Sequence, residues 1–273
     1  MRRGRLAIPL AVAGAVVVAQ AAVFVLRPPA DDVVDPAPVD AGSYFSDAEL
    51  DRARDFRGPQ RWIGLGMLGV EALVLVWLVA RPPEALLRPR RRPLVAAAAA
   101  GAALSVALAV APLPLQAVAR ERARDVGLVT QGYSGWAADL VRSWAISAVI
   151  GGVGAAVAVG LVRRMPRTWW VPGAAIVVAF GAASVYVTPV VLDPIFNEFD
   201  DLPEGRLRDD VLRLAREADV DVGRVLVMDA SRRTTAANAY VTGLGRTKRV
   251  VLYDTLIEHF EPDEVRLVVA HEL

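Results

Sequence analysis

Five apolar stretches, each long enough to cross a bilayer, decide what this chain can be. Leu6–Leu26 runs 21 residues without a charge, Trp62–Ala80 runs 19 with one acid, Glu71, and Pro93–Ala119 runs 27 without a charge. Ser143–Val162 and Thr168–Leu192 add uncharged runs of 20 and 25 residues. A helix needs about 20 apolar residues to cross roughly 30 Å of hydrocarbon. With 55% hydrophobic residues and a mean hydropathy of +0.39, residues 1–192 are expected to form a polytopic α-helical membrane bundle of about five spans. The lipid bilayer is therefore the first partner.

The spans are rich in Gly, Ala and Ser, as in "VIGGVGAAVAVG", which lets helix backbones approach closely in lipid. "MRRGR" followed by an apolar run and "AQA" has the outline of a signal peptide, but the run continues through "AVFVL", so an uncleaved anchor is expected. Arginines crowd "MRRGR", "RPPEALLRPRRRP" and "RRMPR", whereas Ala30–Asp55 is rich in Asp. By the positive-inside rule the N-terminus lies in the cytoplasm and everything after the fifth span outside.

From Asp193 the pattern becomes that of a water-soluble domain, residues 193–273. Leu207, Val211, Leu214 and Ala218 recur at helical spacing among charges. "RVLVMD" reads as a strand, and Ala239–Thr242 and Arg249–Tyr253 as a strand pair around a turn containing Gly243 and Gly245. Pro262, with acids beside it, opens a last helix. The order helix, strand, strand pair, helix is the start of an α+β domain.

Charge and composition narrow the chemistry. Lys+Arg and Asp+Glu nearly cancel, 31 against 30, so nothing points to nucleic acid. Without cysteine there is no disulfide, thiolate nucleophile or Cys-ligated metal. A transition metal would need His and carboxylate ligands, and the two histidines are His259 and His271. "AHEL" opens as an H-E-x-x-H zinc helix does, where two imidazoles one turn apart bind the metal and the Glu takes a proton from water. His271 would be the first ligand and Glu272 the base, with the second His beyond Leu273. His259, off that spacing, reads as a surface residue. Glu71 is an intramembrane acid, read either as lining a water-filled chamber or as sitting near a helix–helix contact with a Trp or Ser partner, and not as catalytic. Arg232, Arg233, Arg246, Lys248 and Arg249 read as a solvated basic face around the hairpin.

Three further stretches, "FNEFDDLPEGRLRDDVLRLAREADV", "NAYVTGLGRTKRVVLYDTL" and "EVRLVVAHEL", come in an order that resembles the integral-membrane zinc metallopeptidases of the type 1 CAAX prenyl endopeptidase family and the related bacterial heat-shock membrane proteases. The likeness covers about Thr188 to Leu273. It implies a gluzincin-like zinc-peptidase domain, a Zn2+ ion held in part by His271, and Glu272 as catalytic base. It also implies that Asn238 and Ala239 lie on an edge strand that binds substrate backbone. The substrates implied are peptides or membrane proteins, through CAAX-type processing or membrane-protein quality control, in the plasma membrane of a bacterium. The family places its zinc domain in the cytosol, against the arginine distribution.

Only one of the three protein ligands of a catalytic zinc falls within the 273 residues. They are therefore expected to be part of a longer chain and inactive by themselves. The alternative is a catalytically dead membrane protein whose peptidase-like domain binds partners. A transporter is disfavoured, since the spans hold one ionisable residue and no paired repeats. Oligomeric state is not specified by the sequence.

Overall fold

A computed structural model describes residues 39–84, 91–243 and 248–273, with scattered positions between 14 and 25. The expected anchor at Leu6–Leu26 falls, but for those positions, outside the described residues, as do Gly245 and Arg246. The chain forms two compact units, Met1–Arg52 and Ala53–Leu273. In the first, a 3-10 turn at Ala41–Ser43 is capped by the Asp40 carboxylate. Ser46 and Glu49 then bond each other's backbone N–H, at 3.4 and 2.8 Å, and start the first long helix.

Helix α1 covers Asp47–Ala80, α2 Pro93–Val110, α3 Leu113–Asp125, α4 Tyr133–Arg164 and α5 Trp170–Val187. Ala111 and Pro112 interrupt the run from α2 to α3, and a π-helical turn, Thr188–Leu192, carries α5 into a short α6, Asp193–Phe196. Among the described residues four helical runs are long and apolar enough to cross a membrane: Asp47–Ala80, Pro93–Asp125, Tyr133–Arg164 and Trp170–Phe196. Their exposed Val, Leu, Ile, Phe and Trp side chains suit a lipid solvent.

The tightest helix contact is the antiparallel pair α2–α4. A Cβ placed on Gly101 would collide with the Gly151 carbonyl and the Ala155 methyl; one placed on Gly151 would collide with the Ser105 hydroxyl. Gly152 lies so close to α2 that a Cβ there would sit 3.0 Å from the Ala98 carbonyl oxygen. The small residues thus let two backbones touch where lipid supplies no hydrophobic drive.

The domain after α6 is a four-stranded sheet with helices. Strand β1 is Phe199–Asp201, α7 Arg206–Glu217, β2 Arg224–Met228, β3 Ala239–Thr242, β4 Arg249–Tyr253, α8 Asp254–His259 and α9 Pro262–Glu272. The strand order is β1-β2-β4-β3. β1 with β2 and β3 with β4 are antiparallel, whereas β2 with β4 is parallel. One sheet face carries Val225, Val250, Leu252 and Ala239, packed with Val211, Leu256, Val265 and Val269 from the helices. The other carries Leu226, Met228 and Val251 with Phe199, Tyr240 and Tyr253.

In α7, Val211 and Ala215 are buried and Leu207 and Leu214 pack beside them. Ala218 is the exposed C-cap, because the helix ends at Glu217.

The sheet lies at the end of the bundle where α3 stops and α4 begins. Arg54, Arg57, Arg61, Arg120, Arg122 and Arg124 belong to this end, and Arg81, Arg91, Arg92, Arg163, Arg164 and Arg167 to the other. Arginines stand at both ends, so their distribution assigns the sheet to neither side of the membrane. The expectation from loop charge counted only the linkers.

Gly101→Val should lower the stability of the bundle by about 1–3 kcal/mol, the usual cost of overpacking. Gly154→Val, with open space around its Cβ position, should leave it within about 0.5 kcal/mol. Thermal unfolding in detergent micelles reads both. Equal midpoints for the two variants would remove the close contact from its role.

Candidate active site

The last helix begins as a capping box. Glu264 accepts from the Glu261 N–H at 2.9 Å, the Glu261 side chain accepts in return, and Pro262 stands in the first turn. Val265 and Val269, one turn apart, are fully buried against the sheet, and Leu273 packs on the same core. That anchoring leaves His271 and Glu272 exposed in the final turn. His259 ends α8 and is also exposed. Among the described residues no group of three or more His, Asp or Glu side chains is placed to hold a metal. One imidazole and a neighbouring carboxylate fall short of a catalytic zinc site, which takes three protein ligands.

α9 packs on the sheet face that carries Ala239. β3 is an edge strand, and its register with β4 decides which of its amides are free. The Tyr253 N–H donates to the Asn238 carbonyl at 3.0 Å, and Tyr240 and Thr242 lie opposite Val251 and Arg249. In an antiparallel ladder, bonded residues alternate with residues whose N–H and C=O point the other way. Asn238, Tyr240 and Thr242 therefore bond β4, while Ala239 and Val241 turn their backbone groups to the open edge.

The two sequence-derived edge residues thus differ. Ala239 offers backbone, whereas Asn238 offers only its exposed side chain. Val241 is a third candidate, visible only once the register is known. At Gly243 φ is +95°, a conformation that suits glycine where β3 leaves the ladder. Tyr240 faces away from α9 and meets Tyr253 edge-on at 6.4 Å. Burial, then the charge of Asp193, pushes its phenol up to about 12, so it stays neutral.

Asp254, Thr255 and Asp139, which the sequence did not single out, fix the loop leading into β3. The Asp254 carboxylate accepts from the Ser231 N–H at 2.9 Å, the Thr255 N–H at 2.8 Å and the Ser231 hydroxyl. The buried Thr255 hydroxyl donates to the Ala236 carbonyl at 2.9 Å. Arg233 forms a two-pronged pair with Asp139 of α4, at 3.0 and 3.3 Å, and donates to the Asn197 side chain at 2.8 Å. Asp139 also accepts from Gln131 at 2.7 Å and Arg142 at 3.0 Å.

Beside this joint the chain segment 127–130 bonds 231–235 directly. Thr130 N–H donates to the Arg233 carbonyl at 3.1 Å, and the Thr234 hydroxyl to the Leu128 carbonyl at 2.8 Å. The expected solvated basic face is corrected at two positions. Arg233 pairs with Asp139, and Arg249 with Asp193 at 3.2 Å and the Pro189 carbonyl, whereas Arg232 pairs with Asp229 at 3.1 Å and stays exposed. Glu71 lies half-buried in α1 with no hydrogen-bond or ionic partner among the described residues.

Burial raises the Asp254 carboxyl, but hydrogen bonds from Ser231, Thr255 and Ala230 outweigh it and hold it below the usual range. The unfolded value is about 3.9. Asp254 thus contributes its full stability above that value and loses it as pH falls through the lower folded value. Asp254→Ala should cost about 1.5–3 kcal/mol at pH 7, the range for a hydrogen bond to a charged acceptor, and less at pH 3. Urea unfolding at both pH values measures this, and an equal loss at both would contradict the charge-assisted role.

Comparisons with known proteins bear on the family and the fold. Residues 201–273 match Peptidase family M48, and residues 123–198 match the CAAX prenyl protease N-terminal family, described as five membrane helices. The chain is 34% identical over 149 residues to the uncharacterized metalloprotease YhfN of Bacillus subtilis, covering 55% of this chain and 35% of that one. It is 33% identical over 141 residues to CAAX prenyl protease 1 of Saccharomyces cerevisiae, covering 50% and 31%. The chain thus spans well under half the length of these relatives. The crystal structure of S. mikatae Ste24p superposes with a TM-score of 0.73 at 21% identity, over 89% of this chain and 59% of that one, a likeness of fold.

Proposed function

The chain belongs to the M48 metallopeptidase family, on its CAAX prenyl protease side, and from that premise we propose that it forms the substrate edge and first metal ligand of a zinc-dependent endopeptidase of the bacterial plasma membrane. The observation that carries the proposal is the packing of α9 on β3, with Val265, Val269 and Ala239 in one core. An H-E helix end and an open strand edge belong to one rigid unit.

An extended peptide adds to β3 as a further strand, its backbone meeting the N–H and C=O of Ala239 and Val241. This mode reads main chain more than side chain and suits varied membrane-associated polypeptides, in CAAX-type processing or membrane-protein quality control. Asn238 contacts the substrate through its side chain. Glu272 takes the proton of the attacking water and returns it to the leaving amine. His271 is the first zinc ligand; the ion, when bound, supplies a positive charge that polarises the scissile carbonyl. Residues 1–273 bring one imidazole to that centre, so by themselves they hold zinc weakly and do not cleave.

Metal content and proteolysis test this together. Purified residues 1–273 should carry far less than one zinc per chain. Protein expressed from the whole reading frame that contains them should carry about one. In that protein His271→Ala should lose the metal, whereas Glu272→Gln should keep it and lose about 10²–10⁴-fold in kcat, the range of a general base. Stoichiometric zinc on residues 1–273, or parental cleavage by the Glu272→Gln variant, would contradict the assignment.

A further inference from the structure

At the end of the bundle away from the sheet, the start of α2 and the last turns of α4 flank an open cavity of about 530 Å3. Arg92, Arg163 and Arg164 line it, and Leu94, Val95 and Gly160 form its apolar wall. Among the described residues no carboxylate lines it. Six arginines nearer the sheet or within it are committed: Arg120, Arg122, Arg142, Arg224, Arg233 and Arg249 all hold acids or carbonyls. The guanidinium groups of the three at this cavity have no hydrogen-bond or ionic partner among the described residues.

Membrane depth supplies a second, independent observation. Trp169 and Trp170 follow α4 after one short turn and are 42% and 62% exposed. Exposed tryptophans between two spanning helices mark the headgroup level of a bilayer. The cavity therefore meets phosphates on its outer side and acyl chains along α2 and α4.

We propose that this cavity is a binding site for an anionic phospholipid. Arg92, Arg163 and Arg164 hold its phosphate, and an acyl chain lies on Leu94 and Val95. Guanidinium pairs with phosphate through two parallel hydrogen bonds, and basic pockets between spanning helices suit acidic headgroups. A soluble anion would leave the apolar wall unused, whereas a zwitterionic lipid would bring its own cation against three guanidiniums. The site is separate from the peptidase edge, so neither proposal depends on the other.

The test is native mass spectrometry of the full chain released from nanodiscs holding equal phosphatidylglycerol and phosphatidylcholine. The parent should retain phosphatidylglycerol at least fivefold over phosphatidylcholine. Arg92→Gln/Arg163→Gln/Arg164→Gln should abolish the preference, and a control with the same charge change, Arg57→Gln/Arg81→Gln/Arg167→Gln, should keep it. Gly160→Leu, which fills the cavity without altering charge, should also weaken retention and serves if the triple variant does not fold. Glycerol 3-phosphate should not displace the lipid. No preference in the parent, equal loss in both triple variants, full retention by Gly160→Leu, or displacement by glycerol 3-phosphate would each overturn the site.

Discussion

The pairing of Arg233 with Asp139 joins two solvents in one fold. Asp139 belongs to a helix that crosses the bilayer, and Arg233 to the loop that enters the edge strand. Both side chains are largely withdrawn from water, at 22% and 17% exposure. Removing one partner would strand the other charge in a poorly solvated place, where loss of a single partner is most costly. Asn197, Gln131 and Arg142 complete the hydrogen bonding, and Thr130, Thr234 and Thr235 bind the two chain segments around it. The loop before β3 is thus tied to the bundle on one side and to Asp254 and Thr255 on the other.

That double anchoring matters because strand addition needs a preformed edge. A frayed β3 would have to be ordered by each substrate, at a cost of roughly 1–2 kcal/mol per residue. Here Asn238, Tyr240 and Thr242 are held by β4, Tyr240 is seated against Tyr253, and Ala239 is buried on α9. Ala239 and Val241 are left with their backbone groups toward the open edge. The same core sets α9, so the helix end carrying His271 and Glu272 shares one frame with the edge.

Much of this was legible in the sequence because periodicity is local. The strands at Ala239–Thr242 and Arg249–Tyr253 and the helix opening at Pro262 follow from alternation and from proline placement, and the structure has them at those residues. Three-residue β1 was hidden within "FNEFDD", too short to show a period. The parallel pairing of β2 with β4 could not be read either, since register between distant strands leaves no local trace. Arg233 and Arg249 looked like surface charge because their partners lie 94 and 56 residues away, and Asp254 drew no reading because its partner lies 23 residues away. Asp139 was the available signal. An acid just before an apolar span asks for a partner, but counting the span from Ser143 left it outside.

The central claim is that β3 receives substrate through two particular backbone positions beside the His271–Glu272 turn. Amide hydrogen exchange measures this most directly, in protein from the whole reading frame carrying Glu272→Gln and given an extended peptide substrate. The account predicts that the Ala239 and Val241 amides slow by tenfold or more on peptide binding. Asn238, Tyr240 and Thr242, already turned toward β4, should change little. Peptide binding that leaves Ala239 and Val241 exchanging as before would contradict it.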